Sequence, residues 1–223
     1  LMLPYGLNQK VEFKKNFGPI LGNLNIDEIS KIDKVDFVEK IFPIYKAINL
    51  VSNNKITKNK STIGFVGAPW TLLVYMINKQ SPKIKLKNDF FKDDFLINRT
   101  MSILEIFLKL HIKNQVENGA EIIQIFDSWA GLLEEKDLPN YVYVPTLNLV
   151  EYVKSLNTPV ICFPRGIKDY KTYKTFGEKV YKIRNNVLKN INLIKPDYFA
   201  KGSDYVSDGI NPKTLEAPNA LAI

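Results

Sequence analysis

Thr62-Ile-Gly-Phe-Val66, followed by Gly67-Ala-Pro-Trp70 and then by Thr71 to Asn78, is the stretch on which the fold turns. It opens as a short apolar run, breaks at Gly67 and Pro69, and continues in a helical pattern. Ser61 to Asn78 is also the longest uncharged stretch of the chain and approaches the length of a membrane span. Gly64, Gly67 and Pro69 divide it instead into strand, tight turn and helix, so no membrane segment is expected. Pro69 suits a first helical turn, where its missing N–H leaves nothing unbonded.

The same grammar recurs twice. Glu121-Ile-Ile-Gln-Ile-Phe126 ends in Asp127-Ser-Trp-Ala-Gly131, and Pro159-Val-Ile-Cys-Phe163 ends in Pro164-Arg165-Gly166. Apolar runs without alternation predict parallel strands covered by helices on both faces. Between the first two runs, Asp89 to Asn118 predicts one long helix. Ile97, Met101, Leu104 and Leu108 recur there at three- and four-residue steps, and Asn118-Gly119 supplies a left-handed stop. Tyr141 to Leu156 predicts a helix restarted at Pro145, and Ile26 to Ile48 one or two helices.

Strand, loop and helix in repetition is the α/β signature. A (β/α)8 TIM-type barrel carries its chemistry on loops at the strands' C-terminal ends, where the three unusual loops fall. No repeat or linker divides the chain, so 1–223 reads as one domain, with 200–223 as a tail of unassigned structure.

Composition sets the limits. A chain of 223 residues, 45% hydrophobic and 24% charged, has globular proportions and can bury about 70% of its unfolded surface. One Cys and one His form neither an internal disulfide nor a Cys/His metal cluster, so a reduced, intracellular compartment is the expectation. Leu1 is not an initiator Met, and no basic-then-apolar leader follows it. The net charge of +8 comes from 31 Lys and Arg, yet only Arg99, Arg165 and Arg184 are Arg. Arg is the usual reader of phosphate and base edges. Scattered lysines therefore read as a solvated surface rather than a nucleic-acid footprint, and an anionic small molecule stays open as ligand.

The loops hold the candidate chemistry. A carboxylate, a hydroxyl and an indole at Asp127-Ser128-Trp129, directly after a buried strand, form either a hydrogen-bonded brace or a binding site. Asp127 can equally cap its loop, whereas Ser128 at a barrel strand end favours a functional role. No Gly-x-Ser-x-Gly elbow marks Ser128 as a hydrolase nucleophile. Gly67 and Ala68 let backbone approach a ligand, and the helix start beyond them offers N–H groups to an anion. Tyr75, one turn on from Thr71, can reach the same ligand, although spacing alone favours a packed phenol. His111 continues the apolar stripe as a packed residue, Cys162 reads as a small hydrophobe, and Arg165 suits a carboxylate or an ion pair.

These segments carry a resemblance. Gly64-Phe-Val-Gly-Ala-Pro-Trp-Thr-Leu72, running on to Tyr75-Met76, resembles the glycine–proline–tryptophan segment of the uroporphyrinogen decarboxylase family. Gln124-Ile-Phe-Asp-Ser-Trp-Ala-Gly131 is similar to that family's second signature, Phe163-Pro-Arg-Gly166 to its next strand end, and Lys10-Val-Glu-Phe through Gly18-Pro19 to its early hairpin. The likeness covers roughly Leu1 to Ile167, in order and spacing.

The resemblance implies a TIM-type barrel, usually a homodimer and cytoplasmic. Its activity would convert the four acetates of uroporphyrinogen III to methyls, giving coproporphyrinogen III and four CO2 in porphyrin and heme biosynthesis. No cofactor or metal is implied, because the protonated pyrrole itself accepts the electrons released with CO2. By the same resemblance Tyr75 and Ser128 contact substrate and orient pyrrole acetates. Phe126 lies along the tetrapyrrole face, and Gly67 permits close approach. The family's paired arginines and central aspartate fall upstream of Leu1, and its histidine signature near the C-terminus is missing. The catalytic residues are therefore unassigned within this chain.

An incomplete barrel lacking its N-terminal and C-terminal units is expected, with open edges, marginal stability and no decarboxylase activity alone. Three rivals remain at this point: a zinc- or corrinoid-type methyltransferase of the related barrels, a Lys-rich nucleic-acid-binding module, and a non-catalytic remnant that pairs with another subunit. A methyltransferase site would need His111 and Cys162 together.

Overall fold

The chain begins with a short helix, α1 (Met2–Gly6), and an antiparallel hairpin of β1 (Val11–Lys14) and β2 (Gly18–Leu21). In the computed structural model the described residues are 1–15, 18–57, 60–82, 86, 89–167 and 171–176, all within one unit, Leu1–Phe176. The tail expected over 200–223 lies outside them.

Ile26 to Ile48 resolves into two helices, α2 (Ile26–Ile29) and α3 (Lys34–Ser52). Asn25 caps the first by accepting from the Asp27 and Glu28 N–H groups, and Asp33 caps the second by accepting from Val35 at 2.7 Å, the role short polar side chains fill at helix starts. Phe37, Ile41 and Tyr45 recur every fourth residue and form the buried stripe of α3.

The three apolar runs become three parallel strands in the order β3 (Ile63–Gly67), β4 (Ile122–Asp127) and β5 (Val160–Pro164). Helix α4 (Pro69–Asn78) follows β3, and α5 (Asp94–Glu117) lies between α4 and β4. The stop at Asn118-Gly119 is as expected, while the start of α5 moves to Asp93, which caps the Leu96 N–H at 2.8 Å. One turn of π-helix over Pro139–Tyr143 precedes α6 (Val144–Ser155), so the break expected near Pro145 is a local widening of the helix. A short α7 (Lys171–Phe176) follows β5.

Coverage of the sheet departs from expectation. Gly64, Val66, Ile123, Ile125 and Asp127 are buried beneath helices, and the alternate residues face outward. On that second face Phe65 is 65% exposed, Ile63 47%, Ile161 42% and Phe163 37%. Among the described residues, helices thus cover one face, not both. The runs read as unbroken because the uncovered face is as apolar as the buried one, and composition alone does not separate the two cases.

Among the described residues β3 is an edge strand, and that edge is partly sealed from within. The Ala68 N–H donates to the Phe126 carbonyl at 2.8 Å and the Glu121 N–H to the Thr62 carbonyl at 2.9 Å, so the even-numbered residues of this segment face β4. Phe65 faces the other way. Its N–H donates to Gln115 Oε1 at 3.0 Å, and its carbonyl accepts from Gln115 Nε2 at 3.3 Å. Gly64 makes room for this clasp, since a Cβ there would stand 2.7 Å from Gln115 Oε1 and 2.9 Å from Ala120 Cβ.

His111 is packed on α5 as expected, its Nδ1 at 2.9 Å from the Tyr45 hydroxyl. Burial holds its pKa down, at about 4. Cys162 is half-buried on β5, and burial together with the nearby Asp127 charge raises its thiol to about 12, which suits an inert role. No helix among the described residues is long and apolar enough to cross a membrane.

Candidate functional site

The C-terminal ends of β3, β4 and β5 are fastened to one another by backbone before any side chain is considered. Beyond β4, the Asp127 carbonyl accepts from the Arg165 N–H at 2.9 Å and the Gly131 N–H donates to the Arg165 carbonyl at 3.0 Å. There the two loops meet main chain to main chain. A Cβ on Gly131 would lie 2.7 Å from Gly166 Cα, and Gly166 itself has φ +83°. These contacts account for the glycines that end two of the quoted segments. Arg165 contributes through its backbone, and its side chain is exposed.

Helix α4 grips the second loop by two side chains of its first turn. Ala68 is the N-cap and offers no side-chain acceptor. The Thr71 hydroxyl donates to Asp127 Oδ1 at 2.7 Å and accepts from the Trp129 N–H at 3.3 Å. Trp70 Nε1 donates to the Trp129 carbonyl at 2.9 Å. Trp70 is fully buried among Phe90, Phe91 and Tyr141, with ring centroids 5.5 to 6.1 Å away. Burying an indole of ~150 Å² contributes roughly 4 kcal/mol at ~25 cal/mol per Å², so the tryptophan of the first segment is an anchor.

Asp127 is 2% exposed. Burial pushes its carboxyl up to about 7, against the opposing pull of the Thr71 hydrogen bond and of the nearby Trp129 N–H. Its Oδ2 is buried with no hydrogen-bond partner among the described residues, as is Trp129 Nε1. Of the two roles left open for Asp127, the brace is present: it ties α4 to the strand-end loop. The Asp127 carboxyl meets the start of α4 through the Thr71 hydroxyl.

Tyr75 lies one turn beyond Thr71, half-buried, with its ring edge-on to Trp129 at 6.0 Å. Ser128, also half-buried, immediately precedes Trp129. Phe126 stands on the uncovered face between Phe65 at 6.0 Å and Phe163 at 6.2 Å, giving a row of three aromatic rings, one from each strand. Gly67 pairs with Phe126 in the strand register. A Cβ on Gly67 would approach Leu72 Cδ2 to 3.0 Å, so local packing by itself explains a glycine there.

Thr71, Trp70 and Gln115 are the residues sequence reasoning passed over. Thr71 and Asp127 are 56 positions apart, and no periodic pattern links a helix's first turn to a distant strand end. The pairing that a metal-dependent methyltransferase would need is not formed: His111 bonds Tyr45 on the helical side, while Cys162 lies on β5. Among the described residues no group of three His, Cys, Asp or Glu side chains could hold a metal ion.

Comparison with known proteins agrees with the segment-by-segment likeness. A family model described as uroporphyrinogen decarboxylase (URO-D) matches residues 1–192. The uroporphyrinogen decarboxylase of Campylobacter jejuni is 34% identical over 176 residues, 76% of this chain and 52% of that protein. That of Rickettsia bellii is 33% identical over 188 residues, 81% of this chain and 53% of that one. The chain therefore spans about half the length of the curated relatives it matches. Among solved structures, a methyltransferase from Methanosarcina mazei superposes with a TM-score of 0.53 at 14% identity, over 72% of this chain and 48% of that one, a likeness of fold alone. With the strand-end loops, their glycines and the tryptophan anchor accounted for by the fold and the family match covering most of its length, the chain belongs to the uroporphyrinogen decarboxylase family.

Proposed function

We propose that this chain forms the central part of a (β/α)8 barrel of a uroporphyrinogen decarboxylase, a cofactor-independent carboxy-lyase acting on uroporphyrinogen III. The uncovered apolar face supports the barrel, because an opened barrel interior would present such a face. In this reading the chain supplies part of the barrel, in keeping with its span of about half the relatives' length, and the intact enzyme is a cytoplasmic homodimer.

The observation that carries the reading is the aromatic row Phe65–Phe126–Phe163 beside the loop that holds Ser128 and Trp129. A flat tetrapyrrole would lie along Phe126, while Tyr75 and Ser128 would donate hydrogen bonds to its acetates from the same end of the strands. Gly67 would leave the approach free of a side chain. In each acetate, protonation of the adjacent pyrrole makes a cationic ring; the C–C bond to the carboxylate breaks, CO2 leaves and its electron pair flows into the ring. The exocyclic carbon then takes a proton to become methyl, and the ring gives up the one it gained. The arginines and aspartate that the resemblance assigns to the family would supply fixed charge for this step.

Titration of the full chain with uroporphyrin III, the stable oxidised form of the substrate, followed by quenching of tryptophan emission, tests the proposal. Tyr75→Phe and Ser128→Ala should each weaken binding about 10-fold or more, the effect of losing one hydrogen bond to a charged group, ~1.5–3 kcal/mol. Unchanged affinity in both variants would remove these residues from the site.

A further inference from the structure

We propose that Asp127 is a positioning residue of this site, whose ionisation, relayed through the Thr71 hydroxyl, sets the hold of α4 on the loop carrying Ser128 and Trp129. A single hydroxyl serves two partners. Thr71 has one proton, given to Asp127 Oδ1, and two lone pairs, one of which takes the Trp129 N–H. This assignment is self-consistent only while the carboxylate accepts.

Protonation changes the balance at either oxygen. A proton on Oδ1 reverses that bond: Thr71 then accepts from both Asp127 and the Trp129 N–H, and its own proton loses the ionised acceptor that polarised its oxygen. A proton on Oδ2, which is buried without a partner, leaves a neutral carboxyl, and neutral acceptors hold a donor more weakly than ionised ones. Both routes loosen the grip on Trp129, and Tyr75 on α4 packs against that ring.

Among the described residues no charged side chain is a direct partner of the Asp127 carboxyl. From α4 it meets Thr71, and from the loop the Trp129 N–H. On β5 it faces Cys162, and on α7 Tyr173, whose phenol is raised by burial and by the Asp127 charge; both are neutral near pH 7. The Thr146 hydroxyl of α6 acts on Tyr173. Lys154 of α6 is felt at Cys162, and its ammonium donates to the Phe176 carbonyl at 2.7 Å. Arg165 meets the Asp127 carbonyl through its backbone N–H. With burial as the largest influence, the carboxyl titrates at about 7.

The relay stands on the hydrogen bonds alone; its consequence for ligand binding rests on the reading above. The chain's two tryptophans, Trp70 and Trp129, both belong to the constellation, so their emission between pH 5 and 9 reads it directly. The full chain should give one sigmoid with a midpoint near 7, absent in Asp127→Asn and moved to higher pH in Thr71→Val. The carbon-13 shift of the Asp127 carboxyl in the unsubstituted chain should follow the same midpoint, which covers the case of a variant that does not fold. Uroporphyrin III should bind about fivefold or more tightly above the midpoint than below it. A flat wild-type emission profile, or a sigmoid that survives Asp127→Asn, overturns the relay. An intact sigmoid with no porphyrin binding at any pH leaves the relay standing and removes the ligand site instead.

Discussion

Gln115, near the end of α5, presents its side-chain amide to Phe65 as a neighbouring strand would, accepting from the N–H and donating to the carbonyl. An edge strand with unpaired backbone is an aggregation hazard, and here one amide occupies the middle of that edge. Gln115→Leu keeps comparable bulk and removes both bonds. It should lower unfolding free energy by about 1 kcal/mol or more, the cost of leaving part-buried backbone groups without partners, read as a lower urea midpoint. Gly64→Ala should cost a similar amount by pushing the same amide and Ala120 aside.

Stability against pH should show two opposed slopes. Asp127 has a folded-state pKa above its ordinary value of 3.8, at about 7, so its contribution is greatest below pH 4 and is lost as pH rises to 7. His111, held down at about 4 from 6.5, acts in reverse: stability is lost as pH falls from 6.5 to 4. The two should largely cancel below pH 6.5. In Asp127→Asn the His111 slope should stand alone, as a urea midpoint that rises steadily between pH 4 and 6.5. A variant profile that falls over this range would contradict the assignment.

The contact between Gly131 and Gly166 tolerates no extra atom. Gly131→Ala places a methyl 2.7 Å from main chain that cannot rotate away, and should destabilise by roughly 1–3 kcal/mol. Gly166→Ala meets a looser contact, 3.1 Å, but adds strain at φ +83°. Chemical denaturation should show both variants below the parent, and uroporphyrin III affinity should fall with them.

On the reading that the chain supplies only the central part of a barrel, about half the length of the curated relatives, the purified chain incubated with uroporphyrinogen should form coproporphyrinogen no faster than a control without enzyme. Conversion above that control would overturn the expectation. The exposed ring of Phe65 should also bind a hydrophobic dye, and Phe65→Ser should reduce that signal.

Much of the frame was legible because punctuation is local. Pro69 announced the start of α4, Asn118-Gly119 the end of α5, and three apolar runs the three parallel strands, each to within a residue or two. The uncovered sheet face was not legible, since Phe65 and Phe163 read as core wherever they stand. At the site, the loops were found and their internal wiring was not. Tyr75 and Ser128 drew notice as chemical groups, whereas Thr71 and Trp70 act through partners more than fifty positions away, a relation that exists only after folding.

Because the β4 and β5 loops touch through bare main chain at Gly131 and Gly166, neither can change shape without carrying the other. Drift in this part of the protein is therefore constrained to paired substitutions. Adaptation to a differently shaped ligand would come more readily from α4, whose side chains can be exchanged one at a time.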